Sequence, residues 1–292
     1  MQFAGAFTAL VTPFCNGRVD ENKYRELIEW QIQEGIHGVV PCGTTGESAT
    51  LTHGEHESVI RICIDQVKKR VPVIAGAGSN NTAEAVRLTH FAKEAGADAA
   101  LHITPYYNKP TQDGIFEHMK AIADEVDFPL VVYNVPGRTG CSVAPATMAR
   151  MYKELPTVVG IKEATGDMKQ VSEILELCGD GFSLLSGDDF TVLPTLALGG
   201  CGVISVTSNL VPGKMARLCS AYLQGDWDTA KKIHYEMNPL TRACFMTSSP
   251  IPVKMALAAM GKMTGEMRLP LVPMKGEQVQ HLYEVLRSLN LV

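Results

Sequence analysis

Lys162 is the sharpest chemical feature of the sequence. It follows Val158-Val159-Gly160-Ile161 without a break, so its stem leaves the end of an apolar stretch. A lysine is rarely buried without a reason. Loss of water disfavours an ammonium and frees an amine to attack a carbonyl. The plainer alternative is a lysine paired with a nearby acid such as Asp188. Tyr133 also closes an apolar run. Its phenol could pass protons during imine chemistry, or it could be a packed core tyrosine. Gly43-Thr44-Thr45-Gly46 sets two hydroxyls and closely spaced backbone N–H groups in a tight loop, which suits a small carboxylate. Many strand-to-helix turns contain Gly and Thr, so this motif is weak alone. Arg138, beside Gly137, could clamp a carboxylate with two hydrogen bonds or stand in solvent.

These residues need a scaffold that gathers strand ends. Short β-rich apolar runs are expected near Phe7–Thr12, Gly38–Cys42, Pro72–Ala75, Ala99–Thr104, Leu130–Asn134, Val158–Lys162, Ser183–Ser186 and Gly202–Ser205. Helical patterns lie between them, among them Asn22–Gln33, Thr52–Lys69, Thr82–Ala95, Asp113–Glu125 and Asp167–Leu177. Strand alternating with helix predicts a parallel sheet, and near-continuous apolar strands predict burial on both faces. About eight such units before Ser208 match a closed (β/α)₈ TIM barrel, whose chemistry sits where strands end. Gly76-Ala77-Gly78 lacks the third glycine of a dinucleotide fingerprint. After Ser208 the pattern turns helical, over Pro212–Gln224, Trp227–Leu240, Pro252–Met260 and Gly276–Leu289. The expected division is therefore a barrel over 1–208 carrying the active site and a C-terminal helical region over 209–292 packed on it.

Composition narrows the class. The chain has 292 residues and a net charge of -5, with no long run of one sign, which argues against nucleic acid and anionic membrane surfaces. The first basic residue is Arg18, so no secretory signal is read. The apolar run Leu196 to Val206 holds three glycines and is too short for a membrane span. None of Cys15, Cys42, Cys63, Cys141, Cys178, Cys201, Cys219 and Cys244 sits in a C-x-x-C pair, and no His completes a zinc set. Reduced, mostly buried thiols and a cytoplasmic compartment are expected. No metal is implied.

Taken together, three segments resemble the hallmarks of the dihydrodipicolinate synthase/N-acetylneuraminate lyase superfamily. They are Gly43-Thr44-Thr45-Gly46-Glu47, Tyr133-Asn134-Val135-Pro136-Gly137-Arg138-Thr139-Gly140 and Gly160-Ile161-Lys162-Glu163-Ala164. The similarity runs from Thr8-Ala9-Leu10-Val11-Thr12-Pro13 to Pro250-Ile251-Pro252-Val253-Lys254. It implies a lyase in which Lys162 forms a Schiff base with pyruvate. Tyr133, Thr44 and Tyr107 would form a proton relay, with Tyr107 supplied by a neighbouring subunit. Thr45 and the backbone at Ile204 would hold the pyruvate-derived part. Arg138 would bind the carboxylate of the second substrate, and Gly187 lies in a further family-like segment of less definite role. Arg138 in its Gly-Arg-Thr-Gly context looks like the synthase branch, which adds L-aspartate 4-semialdehyde, rather than a sister lyase or aldolase acting on a keto-sugar acid. The resemblance further implies no cofactor, a homotetramer of tight dimers and a role in lysine and diaminopimelate biosynthesis.

The resemblance also implies inhibition by L-lysine at Ser48, Ala49, His53, His56, Asn80, Glu84 and Tyr106. A carboxylate and imidazoles suit an ammonium, and an amide and a phenol suit the other end of an amino acid. Structural readings compete. Thr52-His53-Gly54-Glu55 reads as a capping box, and Asn81 with Glu84 as an N-cap with its glutamate partner. The two histidines could then be solvated helix residues. Tyr106 and Tyr107 would point to opposite sides of an extended segment.

Overall fold

The computed structural model describes residues 3–292. Eight strands fall where the apolar runs predict them: β1 (Gly5–Ala9), β2 (Gly38–Val40), β3 (Ile74–Gly76), β4 (Ala99–Ile103), β5 (Leu130–Asn134), β6 (Val158–Glu163), β7 (Ser183–Ser186) and β8 (Gly202–Ser205). They form one sheet in the order β2-β1-β8-β7-β6-β5-β4-β3. The registered pairs are all parallel. With helices following the strands, this is the (β/α)₈ class. Strands β1 and β2 stop short of their predicted ends. Pro13 is close after β1, and Cys42 turns the chain after β2 with φ +55°.

The helices are α1 (Glu21–Gln33), α2 (His53–Val67), α3 (Thr82–Ala95), α4 (Gln112–Glu125), α5 (Pro145–Glu154), α6 (Met168–Cys178), α7 (Val192–Ala197), α8 (Pro212–Leu223), α9 (Trp227–Cys244), α10 (Ile251–Ala259) and α11 (Glu277–Ser288). Six of them start on a side-chain cap, from Asp20, Thr52, Asn81, Thr111, Asp167 and Asp226. At α2 the capping box forms: Thr52 Oγ1 accepts the Glu55 N–H at 3.3 Å, and Glu55 Oε2 accepts the Thr52 N–H at 2.9 Å. At α3 the expected box does not form. Asn81 Oδ1 accepts the Ala83 N–H at 3.1 Å, while Glu84 takes the Ser79 hydroxyl at 2.5 Å. Helix α9 runs past Pro239 to Cys244, beyond its predicted end at Leu240. Leu240, Ala243 and Cys244 are all buried, so packing of this face outweighs the lost hydrogen bond.

The chain divides into two compact units. One takes the segment up to Gly5 with Val73–Ile204, and the other takes Ala6–Pro72 with Ser205–Val292. The first contains β3 to β7 and helices α3 to α7. Its strands are buried throughout: Ala75, Leu101, Val132, Ile161 and Leu184 are each at most 3% exposed. The second joins β2, α1 and α2 to helices α8 to α11. Its core runs through Leu27, Leu210, Leu240, Val253, Leu257, Leu282 and Leu286. Burying each such side chain is worth about 1.5–3 kcal/mol. All eight cysteines are free thiols, six of them buried. No helix among the described residues is long and apolar enough to cross a membrane.

Candidate active site

In the first unit, β5 and β6 set Tyr133 directly beside Lys162 in parallel register. Gly160 lets β6 and β7 approach closely, because a Cβ there would stand 2.3 Å from the Ser183 carbonyl oxygen on β7. Lys162 is 5% exposed, and its Nζ lies 4.2 Å from the centre of the Tyr133 ring. Asp188, the acid expected as an alternative partner, accepts the Phe190 N–H at 3.0 Å. Among the described residues Lys162 makes no ion pair. A buried amine held against a phenol ring is placed for carbonyl attack.

Glu163 comes next on β6 and points to the other face of the strand. Its buried carboxylate accepts from the Thr165 N–H (2.7 Å), Asn134 Nδ2 (2.9 Å) and Gln170 Nε2 (3.1 Å). Asn134 follows Tyr133, so this acid ties together the ends of the two strands that carry the tyrosine and the lysine. In the sequence, Glu163 stands inside the Gly160–Ala164 motif with no role of its own. The available signal was its position, since an acid alternating with a buried lysine on a core strand must find donors.

Gly187, after β7, donates its N–H to the Glu163 carbonyl at 2.6 Å. A Cβ at this position would stand 2.6 Å from Ala164 Cβ and 3.0 Å from both Cγ and Cε of Lys162. The lysine stem occupies the space that any side chain at 187 would need. Gly187→Ala is therefore expected to displace the amine and slow any reaction at Lys162 Nζ by about 100-fold, the scale of a ~1 Å misplacement. Single-turnover trapping checks this, and wild-type rates would show that the stem shifts freely.

Arg138 is exposed on a four-residue helical turn, Pro136–Thr139, directly after β5. Gly140 closes that turn with φ +74°. Tyr107 is 90% exposed and Tyr106 37%. The expectation of an extended segment fails at Tyr107, whose φ of +70° is left-handed. Bulky residues seldom adopt that conformation, and such strain clusters at functional sites. Asn80 Nδ2 donates to the Tyr106 carbonyl at 3.1 Å, and Asn108 Nδ2 to the Asn80 carbonyl at 3.0 Å. Ile204 is fully buried on β8.

In the second unit, Thr44 and Thr45 sit in a tight loop after β2. The Gly43 carbonyl accepts the Gly46 N–H and the Thr44 carbonyl accepts the Glu47 N–H, each at 3.1 Å. Thr45 is buried and Thr44 half-buried. Glu47 ends the loop with φ +54° and a buried carboxylate paired to Lys254 Nζ. Burial pushes the Lys254 amine below the ordinary lysine value, and Glu47 pulls it back up. Ser48 is half-buried, Ala49 and His53 are exposed, and His56 is buried. His56 is thus not the solvated residue that the plainer reading allowed. Glu84 and Asn80, of the first unit, are half-buried.

A buried lysine beside a buried tyrosine where β6 and β5 end fits a (β/α)₈ lyase. Residues 2–289 match the dihydrodipicolinate synthetase family, and the chain belongs to it. The 4-hydroxy-tetrahydrodipicolinate synthase of Nitratidesulfovibrio vulgaris is 63% identical over 292 residues, all of both chains. The crystal structure of the chloride-inhibited dihydrodipicolinate synthase of Acinetobacter baumannii, complexed with pyruvate, is 42% identical. It covers 99% of each chain with a TM-score of 0.97. The dihydrodipicolinate synthase of Cyanidioschyzon merolae with lysine bound is 38% identical, also over 99% of each chain, with a TM-score of 0.96.

Proposed function

We propose that this enzyme condenses pyruvate with L-aspartate 4-semialdehyde to give 4-hydroxy-tetrahydrodipicolinate, in L-lysine and diaminopimelate biosynthesis in the cytoplasm. The observation that carries the reading is the buried Lys162 amine, 4.2 Å from the centre of the Tyr133 ring and without an ion pair among the described residues. Pyruvate bound by the Acinetobacter enzyme supports the first substrate. Lys162 Nζ attacks the keto carbon, water leaves, and the iminium loses a methyl proton to become an enamine. The enamine carbon adds to the aldehyde carbon of the second substrate. The amine of that substrate then displaces Lys162 and closes the ring. The protein amine is the electron sink, so this chemistry calls for no metal or organic cofactor.

Tyr133 passes protons at the imine, with Thr44 and Tyr107 completing the relay. Thr45 and the backbone at Ile204 hold the pyruvate-derived part, and Gly187 leaves room for the lysine stem. Arg138 receives the carboxylate of the semialdehyde, for which an exposed guanidinium is a fitting first contact. Tyr107, 90% exposed on one chain, acts from a neighbouring subunit of a homotetramer built from tight dimers. The barrel of 1–208 carries this chemistry, with 209–292 as its helical appendage. L-Lysine inhibits through Ser48, Ala49, His53, His56, Asn80, Glu84 and Tyr106. The Cyanidioschyzon synthase with lysine bound supports that assignment.

The test sets condensation of pyruvate with L-aspartate 4-semialdehyde against cleavage of N-acetylneuraminate or 2-keto-3-deoxygluconate, each supplied alone, to pyruvate and an aldehyde. Turnover is expected with the semialdehyde alone, and cleavage of either sugar acid at a comparable rate would favour a sister aldolase. A lysine titration at saturating pyruvate is expected to inhibit, and a flat response into the tens of millimolar would make those seven residues structural.

A further inference from the structure

The mechanism leaves a second buried lysine unused. Lys254 is fully buried, and its Nζ donates to a carboxylate oxygen of Glu47 and, at 2.9 Å, to the Thr12 carbonyl. It also lies 4.3 Å from the centre of the Phe14 ring. Two oxygen acceptors and an aromatic face are the surroundings of an ammonium. The other Glu47 oxygen accepts the Arg268 N–H at 3.0 Å. The Arg268 guanidinium grips both oxygens of Glu55, at 2.8 and 2.5 Å. It also donates to the carbonyls of Thr50 (2.9 Å) and Gly17 (2.8 Å). Every one of these residues lies in the second unit.

The arrangement has one conspicuous beneficiary. Glu47 is the last residue of the Gly43–Glu47 loop, it holds a left-handed φ, and no side chain of the loop is better anchored. A buried charge pair is weak evidence for stability, because apolar residues of equal volume often do as well. What such a pair supplies is direction: the carboxylate can sit only where Lys254 and the Arg268 N–H both reach it. A second tie comes from Thr12, whose hydroxyl donates to the Gly46 carbonyl at 2.7 Å while its own carbonyl holds Lys254. The loop end is thereby clamped through both residues 46 and 47.

We infer that Glu47, Lys254 and Arg268 form a positioning network that fixes the backbone of Gly43–Glu47, and with it the hydroxyls of Thr44 and Thr45 that receive pyruvate. The inference rests on the pyruvate reading given above. None of the three residues touches substrate; they act through the loop. Lys254 is also kept from competing with Lys162 for the keto acid, since its amine is engaged by Glu47 and the Thr12 carbonyl.

Lys254→Met, Glu47→Gln and the double variant Glu47→Gln/Lys254→Met are compared with the wild-type enzyme. Thermal unfolding, pyruvate KM, kcat and the pyruvate concentration that half-saturates borohydride trapping at Lys162 are measured. Lys254→Met strands a carboxylate and is expected to lower the melting temperature as well as to raise the half-saturating pyruvate at least tenfold. Trapping at saturating pyruvate should still go to completion, because Lys162 is intact. The double variant strands no charge. It is expected to unfold near the wild-type temperature and yet keep the raised pyruvate KM, which a purely structural pair would not do. Where Lys254→Met fails to fold, the double variant and Glu47→Gln decide. A folded double variant with the wild-type pyruvate KM would overturn the positioning network while leaving Schiff-base chemistry intact. Wild-type enzyme that traps no pyruvate on Lys162 would overturn the underlying reading, and the network's proposed purpose with it.

Discussion

Lys162→Ala is expected to abolish the pyruvate–borohydride adduct and to lower turnover by at least about a thousandfold, as loss of a covalent nucleophile does. The fold should survive. The lysine head makes no ion pair among the described residues, so its removal strands no opposite charge. The wild-type protein should gain a single reduced pyruvyl group, located at Lys162 by peptide mass spectrometry. Lys254 is equally buried, yet it should stay unlabelled, since Glu47 and the Thr12 carbonyl engage its amine. Adduct formation on the alanine variant at wild-type levels would remove Lys162 from the mechanism.

Glu163→Ala is expected to destabilise the protein by loosening the ends of β5 and β6. It leaves the Thr165 N–H, the Asn134 amide and the Gln170 amide without their shared acceptor. Stranding buried donors costs about 1–3 kcal/mol each when no water replaces the acceptor. Asn134 Nδ2 also reaches Ser142 Oγ at 3.2 Å and Gln170 Nε2 the Val143 carbonyl at 3.3 Å, which puts the net loss at about 2 kcal/mol. Glu163→Gln keeps the volume and one acceptor oxygen, so it should lose roughly half as much. Calorimetry checks both values. Unchanged melting of the alanine variant would mean that the three donors find other partners, and Glu163 would then not tie β5 to β6.

Much of this was legible because a parallel barrel converts position into function. Lys162, Tyr133 and Arg138 each fall at or just beyond a run of apolar residues, and a strand end in such a fold faces the chemistry. The capping box at Thr52 was equally readable, because its two hydrogen bonds join residues three apart. What could not be read was long-range pairing. Glu47 and Lys254 are separated by 207 positions, and no local pattern connects them. Glu163 hid behind its neighbour, since a motif shows that two residues are adjacent and not that they face opposite ways. Tyr107 was misjudged because nothing about a tyrosine announces a left-handed backbone. Only the surrounding hydrogen bonds impose it.

Pro239 shows how a helix can carry a missing donor at small expense. A proline inside a helix leaves the carbonyl four residues earlier without its N–H, and here that residue is Tyr235. Tyr235 is 64% exposed, so the bereft oxygen lies on the wet side of α9, while the apolar side continues through Leu240 and Cys244. Hydration can supply there what the proline withholds. The same imino acid one half-turn around, with its orphaned oxygen sealed against Leu257 and Leu286, would have had no such recourse, and the helix would have ended where its sequence first suggests.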